Sequence, residues 1–367
     1  MALLVFSVIV LFHEFGHFLL AKLNGIGVIE FSLGFGPRLL SWKSKKSGTR
    51  YSWKLIPFGG SCAMYGEFDE QESKKMLESE MPEVTETPFS SEESFFKKSA
   101  LARISVVAAG PIFNFILALV CSVVVVSWAG YDYPQIANVV EGHAAEMSGI
   151  QPGDVITKIG DRKVIITRDI LLYMTLNNCE DMAVEYKRYN EASGEWERYK
   201  ALLDADHYYQ QNGRFYSGMN FYGYRSATDS PLALIKYSFA EVRFAMYSVV
   251  DGLREMLKGK VSSDDIAGPV RIVTIIDDTV EQISPYGAVA VFMNVLNLLL
   301  LFSANLGIMN LLPFPALDGG RLVFLFWELI TRKPVNQKVE IAINLTGMAL
   351  LMALMIFVLF NDLTVLF

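Results

Sequence analysis

Cysteine is scarce in this chain: only Cys62, Cys121 and Cys179 occur in 367 residues, far apart and without paired spacing. An odd number with no C-x-x-C pattern excludes a disulfide-stapled scaffold and a cysteine zinc knuckle. A basic excess is also missing, with 32 Lys and Arg against 39 Asp and Glu, a net charge of -7 and a pI near 5.3. That balance carries no nucleic-acid footprint. Charged residues make up only 19% of the chain while hydrophobic ones reach 52%, and the mean hydropathy is +0.32. The chain is too apolar for an ordinary soluble protein and too charged for a bare bundle of spans, which leaves a membrane protein carrying a sizeable polar domain.

Four apolar runs are long enough to cross a bilayer, which takes about 20 helical residues. The first, Met1 to Ala21, is interrupted only by His13, Glu14 and His17. It has no basic leader and no small-residue cleavage site, so it reads as a retained span and not as a signal peptide. The runs Ile104–Ala129, Ala288–Leu312 and Ile341–Phe360 contain no charged residue. Lysines and arginines crowd the segment between the first two spans (Lys22, Lys43, Lys45, Lys46, Arg50, Lys54, Lys97, Lys98, Arg103) and the link between the last two (Arg321, Arg332, Lys333, Lys338). By the positive-inside tendency both face the cytoplasm, and the long insert between spans two and three faces out.

The expected organisation is therefore a first span over 1–23, a membrane-associated β-hairpin region over 24–66, an acidic cytoplasmic linker over 67–103 and a second span over 104–129. An extracytoplasmic domain over 130–228, an amphipathic helix and connecting segment over 229–285, a third span over 286–320, a cytoplasmic loop over 321–340 and a fourth span over 341–361 complete it. Short apolar and aromatic runs parted by Gly, Pro and a Lys-Lys-Ser-Gly-Thr turn favour strands in 24–66. Glu67–Glu93 holds ten acidic residues against two lysines, the composition of a solvated linker. In the outer insert, Ile136 onward shows a β-run, a small-residue helix, then Gly-Ile-Gln-Pro-Gly-Asp and a strand, and the stretch Tyr133–Arg225 looks like a PDZ domain. Such modules take extended peptides by adding a strand to a sheet edge. Ser230–Gly259 has apolar residues at helical spacing with a polar face.

Three ionisable residues inside the first span are costly in lipid and mark function. His13 and His17 are four residues apart and so project from one helical face, where two neutral imidazoles can chelate one ion, zinc first. Glu14 between them is in reach of a water as general base. With four histidines in the chain, a chance His-Glu-x-x-His is on the order of a few in a thousand, so the metal reading outweighs a satisfied core histidine. A catalytic zinc needs a third protein ligand. Asp318 lies just after the third span, where Pro313 and Pro315 break the helix; taken alone, Pro-Phe-Pro-Ala-Leu-Asp-Gly-Gly would pass for a turn with Asp as a local cap.

The motifs His-Glu-Phe-Gly-His on the first span, Ala-Gly-Pro-Ile-Phe-Asn opening the second and Asn-Leu-Leu-Pro-Phe-Pro-Ala-Leu-Asp-Gly-Gly ending the third resemble, in order and spacing, those of the site-2 protease family (peptidase M50), in its bacterial single-PDZ branch. The likeness extends to Gly-Phe-Gly-Pro, Ile-Pro-Phe-Gly-Gly and Asp-Asp-Ile-Ala-Gly-Pro-Val-Arg-Ile and covers nearly the whole chain. The resemblance implies a multi-pass α-helical membrane protein of four transmembrane helices with a membrane-associated β-sheet and one α+β PDZ domain. It implies a zinc metalloendopeptidase that cuts single-span membrane proteins, such as anti-sigma factors or signal-peptide remnants, in or near the bilayer. It also implies His13, His17 and Asp318 as zinc ligands, Glu14 as the base, and Asn310, Pro313, Pro315, Asn114, Gly59 and Gly60 as the substrate-binding set. Asn114 serves equally as a helix-packing residue. An upstream site-1 cleavage and the natural substrate stay open. Ser61, Cys62 and Ala63 depart from the Tyr-Val-basic stretch frequent after Gly-Gly in the family, so the resemblance does not carry over a substrate preference at that edge.

Other readings fit less well. An ordinary zincin on an anchor would place polar residues around the motif, whereas Val8–Phe12 and Phe18–Ala21 are apolar. An inactive adaptor holding partners through the PDZ module would have lost Glu14 or a ligand. A transporter would show a second site or pathway. The outward module is expected to filter bulky substrates, because a groove about a membrane's thickness from the metal could hardly position the scissile bond.

Overall fold

The computed structural model describes residues 1–67, 89–177, 180–211, 214–222, 226–227, 230–259 and 267–366. The acidic linker expected over 67–103 therefore lies mostly outside the described residues, as do Cys179 and the start of Asp-Asp-Ile-Ala-Gly-Pro-Val-Arg-Ile. Among the described residues, four helices are long and apolar enough to span a membrane: α1 (Ala2–Leu23), α2 (Ala100–Ala129), α7 (Ala288–Leu311) and α9 (Gln337–Leu366). The chain divides into two compact units, residues 1–118 with 261–367, and residues 119–260.

In the first unit, Asn24 ends α1 by donating from Nδ2 to the Leu20 carbonyl at 2.8 Å. The chain then enters β1 (Val28–Lys43) and β2 (Arg50–Met64), two strands long enough to fold over each other. Glu30–Leu33 pairs on one side with Gly60–Ala63 and on the other with Arg50–Trp53, while Arg50–Trp53 also pairs with Leu40–Lys43. The expected small sheet of hairpins is thus present, with Gly60–Met64 at one edge.

The sheet is pinned by a buried charge. The Glu30 carboxylate accepts from Arg38 Nε at 2.8 Å, Ser52 Oγ at 2.5 Å and Lys54 Nζ at 3.0 Å. Burial pushes that carboxyl up, but the three partners outweigh it and hold it below its ordinary value of 4.5. Ile26, Val28 and Met64 of the sheet region pack with Ala21 of α1, with Phe95 ahead of α2, with Val106 and Val107 of α2, and with Leu322 and Leu325 of α8 (Asp318–Thr331).

The link expected as a loop over 321–340 thus contains most of a helix. Its apolar residues at helical spacing, Leu322 and Leu325, supply the face that this core buries. The connecting segment before the third span also holds a helix, α6 (Pro269–Ile283). Asp362 of α9 caps its start, accepting from the amides of Gly268, Val270 and Arg271 at 2.8, 3.0 and 3.1 Å. Arg103 of α2 and Glu328 of α8 form an ion pair.

The second unit holds a four-stranded antiparallel sheet in the order β5 (Arg162–Lys163), β4 (Val155–Ile159), β6 (Met182–Asn190), β7 (Glu195–Leu203). A separate pair joins β3 (Ile136–Val139) to β10 (Met219–Phe221), and β8 (Tyr209–Gln211) pairs with β9 (Arg214–Tyr216). The helices α3 (Ala144–Met147) and α4 (Thr167–Leu176) close a core of Ile136, Ile150, Ile156, Ile159, Ile170 and Leu203. The amphipathic helix expected after this module is α5 (Pro231–Leu257). Its charged face is tied to the module by Arg162–Asp251 at 2.5 Å and by the pairs Arg168–Glu241 and Arg243–Asp169.

Glu30 makes the sheet acid-sensitive. Its folded pKa is depressed, so its contribution is complete above the ordinary carboxylate range and is lost as pH falls through the folded value. Glu30→Gln should flatten the acid limb of a thermal-melting profile in detergent. Glu30→Ala, which leaves Arg38 and Lys54 without their shared anion, should cost about 3 kcal/mol at neutral pH. An unchanged melting curve for both would show that the cluster does not hold the sheet.

Candidate metal centre and catalytic cavity

Helix α1 presents His13 and His17 on one face, and α2 passes close enough to fix both rings. The approach is backbone to backbone. A Cβ on Gly16 would lie 2.5 Å from the Ala109 carbonyl oxygen, and one on Gly110 would lie 2.3 Å from His17 Nε2 and 2.6 Å from His13 Cε1. Only glycine fits either position without displacing a helix or an imidazole. His17 Nδ1 sits 2.9 Å from the Val106 carbonyl, which can only accept, so Nδ1 carries the proton and Nε2 offers a lone pair. Asn114 Nδ2 lies 3.1 Å from His13 Nδ1 while its buried Oδ1 has no hydrogen-bond partner; turning that side-chain amide over would place the oxygen against the ring and set the same tautomer in His13.

The third donor arrives through an irregular turn. Helix α7 ends at Leu311, and the chain runs extended through Leu312 ahead of Pro313. Ala316 is held at φ +76°, a conformation that a non-glycine residue adopts only where its surroundings enforce it. Helix α8 then opens with Asp318 in its first turn, where an anion is favoured by the helix dipole. Cβ atoms on Gly319 and Gly320 would lie 2.2 Å from Leu312 O and 2.3 Å from Phe314 O, so the glycine pair lets α8 start against the carbonyls of the turn that follows α7.

His13 Nε2, His17 Nε2 and Asp318 Oδ2 come together as a triangle, 3.2 Å from one imidazole to the other and 3.2 and 3.4 Å from the carboxylate oxygen to each. A tetrahedral zinc with bonds of about 2.0–2.1 Å has edges of about 3.3 Å. The buried Oδ2 has no hydrogen-bond donor, and the two Nε2 atoms lie 3.2 Å apart beside it, an arrangement that a cation among the three resolves. The donor set therefore fits zinc with one position left for water.

Around this triangle lies a cavity of about 260 Å³ lined by His13, Glu14, His17, Cys62, Met64, Glu67, Asn310, Asp318 and Arg321 among others. Glu14 thus shares the cavity with the donors. Gly60 of the edge strand stands beside it, since a Cβ there would be 3.5 Å from Glu14 Cγ. Of the residues expected to bind substrate, Asn310 lines the cavity and Gly60 borders Glu14. The other four lie elsewhere. Asn114 is 0% exposed behind His13, with its backbone carbonyl accepting from Ser303 Oγ at 2.8 Å. Pro313 is exposed outside the cavity lining, and Pro315 packs on Gly347 of α9. Gly59 turns the strand at φ +82° beneath Phe35.

Sequence reasoning missed Gly110, the Val106 carbonyl, Glu67 and Arg321. The Ala-Gly pair at 109–110 was the one visible signal, since small residues mark close helix contacts. Burial pushes the Cys62 thiol well above its ordinary range, with Glu14 and Glu67 adding to it, so Cys62 lines the cavity as a neutral group.

Comparison with known proteins gives a concordant picture. The family model described as peptidase family M50 matches residues 1–354. A Clostridium acetobutylicum protein is 34% identical over 363 residues, covering 98% of this chain and 96% of the other. The zinc metalloprotease RasP of Bacillus licheniformis is 31% identical, and the regulator of sigma-W protease RasP of Bacillus subtilis is 30% identical, each covering all of this chain and 98% of the other.

Gly110→Ala tests the helix contact. The variant should fold, because alanine favours a helix. It should bind divalent metal at least about tenfold more weakly, since the new methyl displaces His17. Metal content by elemental analysis beside circular dichroism decides it, and full metal retention would refute the contact.

Proposed function

This chain belongs to peptidase family M50, the site-2 protease type, and from that premise we propose that it hydrolyses peptide bonds of single-span membrane proteins with His13, His17 and Asp318 as zinc ligands and Glu14 as base. It is a zinc metalloprotease of the intramembrane kind. The observation that carries the residue assignment is the triangle of donor atoms with tetrahedral edge lengths, facing Glu14 in one cavity.

Bound zinc would supply Lewis acidity, making water a nucleophile near neutral pH and polarising the scissile carbonyl. The chain's own groups do the rest. Glu14 takes the proton from the attacking water and delivers it to the leaving amide nitrogen. The Val106 carbonyl holds His17 as its metal-facing tautomer, and Asn114 with its side-chain oxygen turned to the ring does the same for His13. Asn310, on the cavity wall, steadies the substrate backbone.

A transmembrane helix hides its peptide bonds in its own hydrogen bonds, so it must unwind before cleavage, and each freed group needs a new partner in the bilayer. Gly60–Met64 provides them. Among the described residues no strand pairs with its outer edge, and Cys62 and Met64 line the same cavity as Glu14. The substrate adds there as a strand.

In the second unit, a groove between α4 and β9–β10 is lined by Leu171, Met174, Phe215, Tyr216, Met219 and Phe221. We read this unit as a PDZ domain over 130–228, with the groove as its peptide site. The Bacillus subtilis relative is named for sigma-W regulation, which supports anti-sigma factors as a substrate class here; our reading also takes in signal-peptide remnants and a bacterial cytoplasmic membrane with the metal toward the cytoplasm.

Two variants test the assignment. Glu14→Gln keeps shape but cannot take a proton, so zinc content should persist while cleavage of a single-span peptide falls by at least about 100-fold. His13→Ala and His17→Ala should each lose nearly all zinc, and Asp318→Asn less, an amide oxygen being a weaker ligand. Wild-type turnover by Glu14→Gln, or full zinc in both histidine variants, would sink the roles.

A further inference from the structure

One ion pair stands where the added strand would go. Glu67 follows the edge strand closely, and its two oxygens have separate partners: Oε2 accepts from the Met64 amide at 3.2 Å, and Oε1 from Arg321 Nη1 at 2.5 Å. The direction of the Met64 amide decides what this means. The Tyr65 amide donates to the Gly27 carbonyl at 2.7 Å, towards β1. Successive amides of an extended chain point to opposite sides, so the Met64 amide points off the free edge. It is a donor that an incoming strand would need, and it is already taken.

The pair is also a partition. Glu67 and Arg321 line the catalytic cavity, and both line a second cavity of about 380 Å³ with Phe96, Ile341, Leu345 and Met348. Their side chains are only 10% and 21% exposed, so the contact lies between the two spaces and not on an open surface. Arg321 is one helical turn beyond Asp318, on the helix that positions the third donor. The catalytic chemistry described above gives neither Glu67 nor Arg321 a part.

We propose that Glu67 is a latch on the substrate-binding edge. Its carboxylate occupies the Met64 amide as a substrate carbonyl would, Arg321 holds it there, and a substrate strand must displace it to pair along Gly60–Met64. This rests on the strand-addition reading of the site. The latch sets a threshold: a segment binds productively only if its unwound backbone competes with a charged hydrogen bond that is already made. Glu67 is a specificity-determining residue and takes no part in proton transfer, so its loss acts on binding and leaves the chemical step alone.

The test uses the full-length, zinc-loaded protein in detergent and a synthetic peptide of one transmembrane segment. In the Glu14→Gln background, adding Glu67→Ala should tighten peptide binding about five- to tenfold, the worth of the hydrogen bond no longer displaced. With Glu14 intact, Glu67→Ala should lower KM by a similar factor and leave kcat within about twofold. Arg321→Met frees the carboxylate and should shift KM the same way.

If the pair only braces the sheet, Glu67→Ala would lower the melting temperature and leave Kd unchanged or weaker, which overturns the latch. Glu67→Gln keeps size and one acceptor and stands in if alanine unfolds the protein; it should give a smaller tightening, and none at all would likewise overturn the latch. Peptide binding that is unaffected by Glu67 while wild type still cuts sinks the latch alone. Absence of binding with and without Glu67 sinks strand addition itself and the latch with it.

Discussion

The approach of α1 to α2 at Gly16, Ala109 and Gly110 is the contact on which the rest of the active site depends. Two helices in lipid gain nothing from hiding apolar surface from each other, so they associate where small residues let backbones meet. Here that meeting also solves the problem of ionisable groups in an apolar setting. The Val106 carbonyl and the Asn114 amide reach the far sides of both imidazoles, and the near sides are left to converge with Asp318. A side chain at Gly110 would fill the space the rings occupy.

From that contact the other parts of the first unit follow. Fixing α1 fixes Glu14, and the close fit of Gly60 brings the sheet edge beside it. The turn through Ala316 and the glycine pair then lets α8 begin beneath the end of α7 with its carboxylate already aimed at the histidines. The chain spends backbone strain and five glycine positions on geometry that no single element could supply. The Glu67–Arg321 pair extends the logic to the binding edge: a strand edge beside a hydrolytic centre is a hazard if left open, and a charged side chain is a common means of blunting an edge.

The second unit is organised by different forces. Its core is a set of isoleucines and valines between sheet and short helices, and its amphipathic helix α5 is tied down by three arginine–carboxylate pairs. Bidentate-capable guanidinium groups hold a helix in register where apolar burial alone would let it slide. An apolar groove beside α4 is left unfilled by the unit's own side chains.

What the sequence determined by itself was whatever local pattern encodes: four apolar helices, the strand-rich loop, the amphipathic α5 and the pairing of His13, Glu14 and His17 on one helical face. It also supplied Asp318, but through motif order and not through any local rule, since Asp after a proline turn reads equally well as a cap. The roles of Asn114, Pro313 and Pro315 were not legible, because whether a side chain faces a cavity, a neighbouring ring or another helix is decided by packing across hundreds of residues. Asn114 turned out to lie behind His13, and Pro315 against α9. Gly110 looked like any small residue in a span until the imidazoles were seen against it. Glu67 looked like the first of many acidic residues, and only the tertiary structure, by setting it between the Met64 amide and Arg321, separated it from them. Periodicity records what a segment buries; it carries no record of which distant backbone will come within 3 Å.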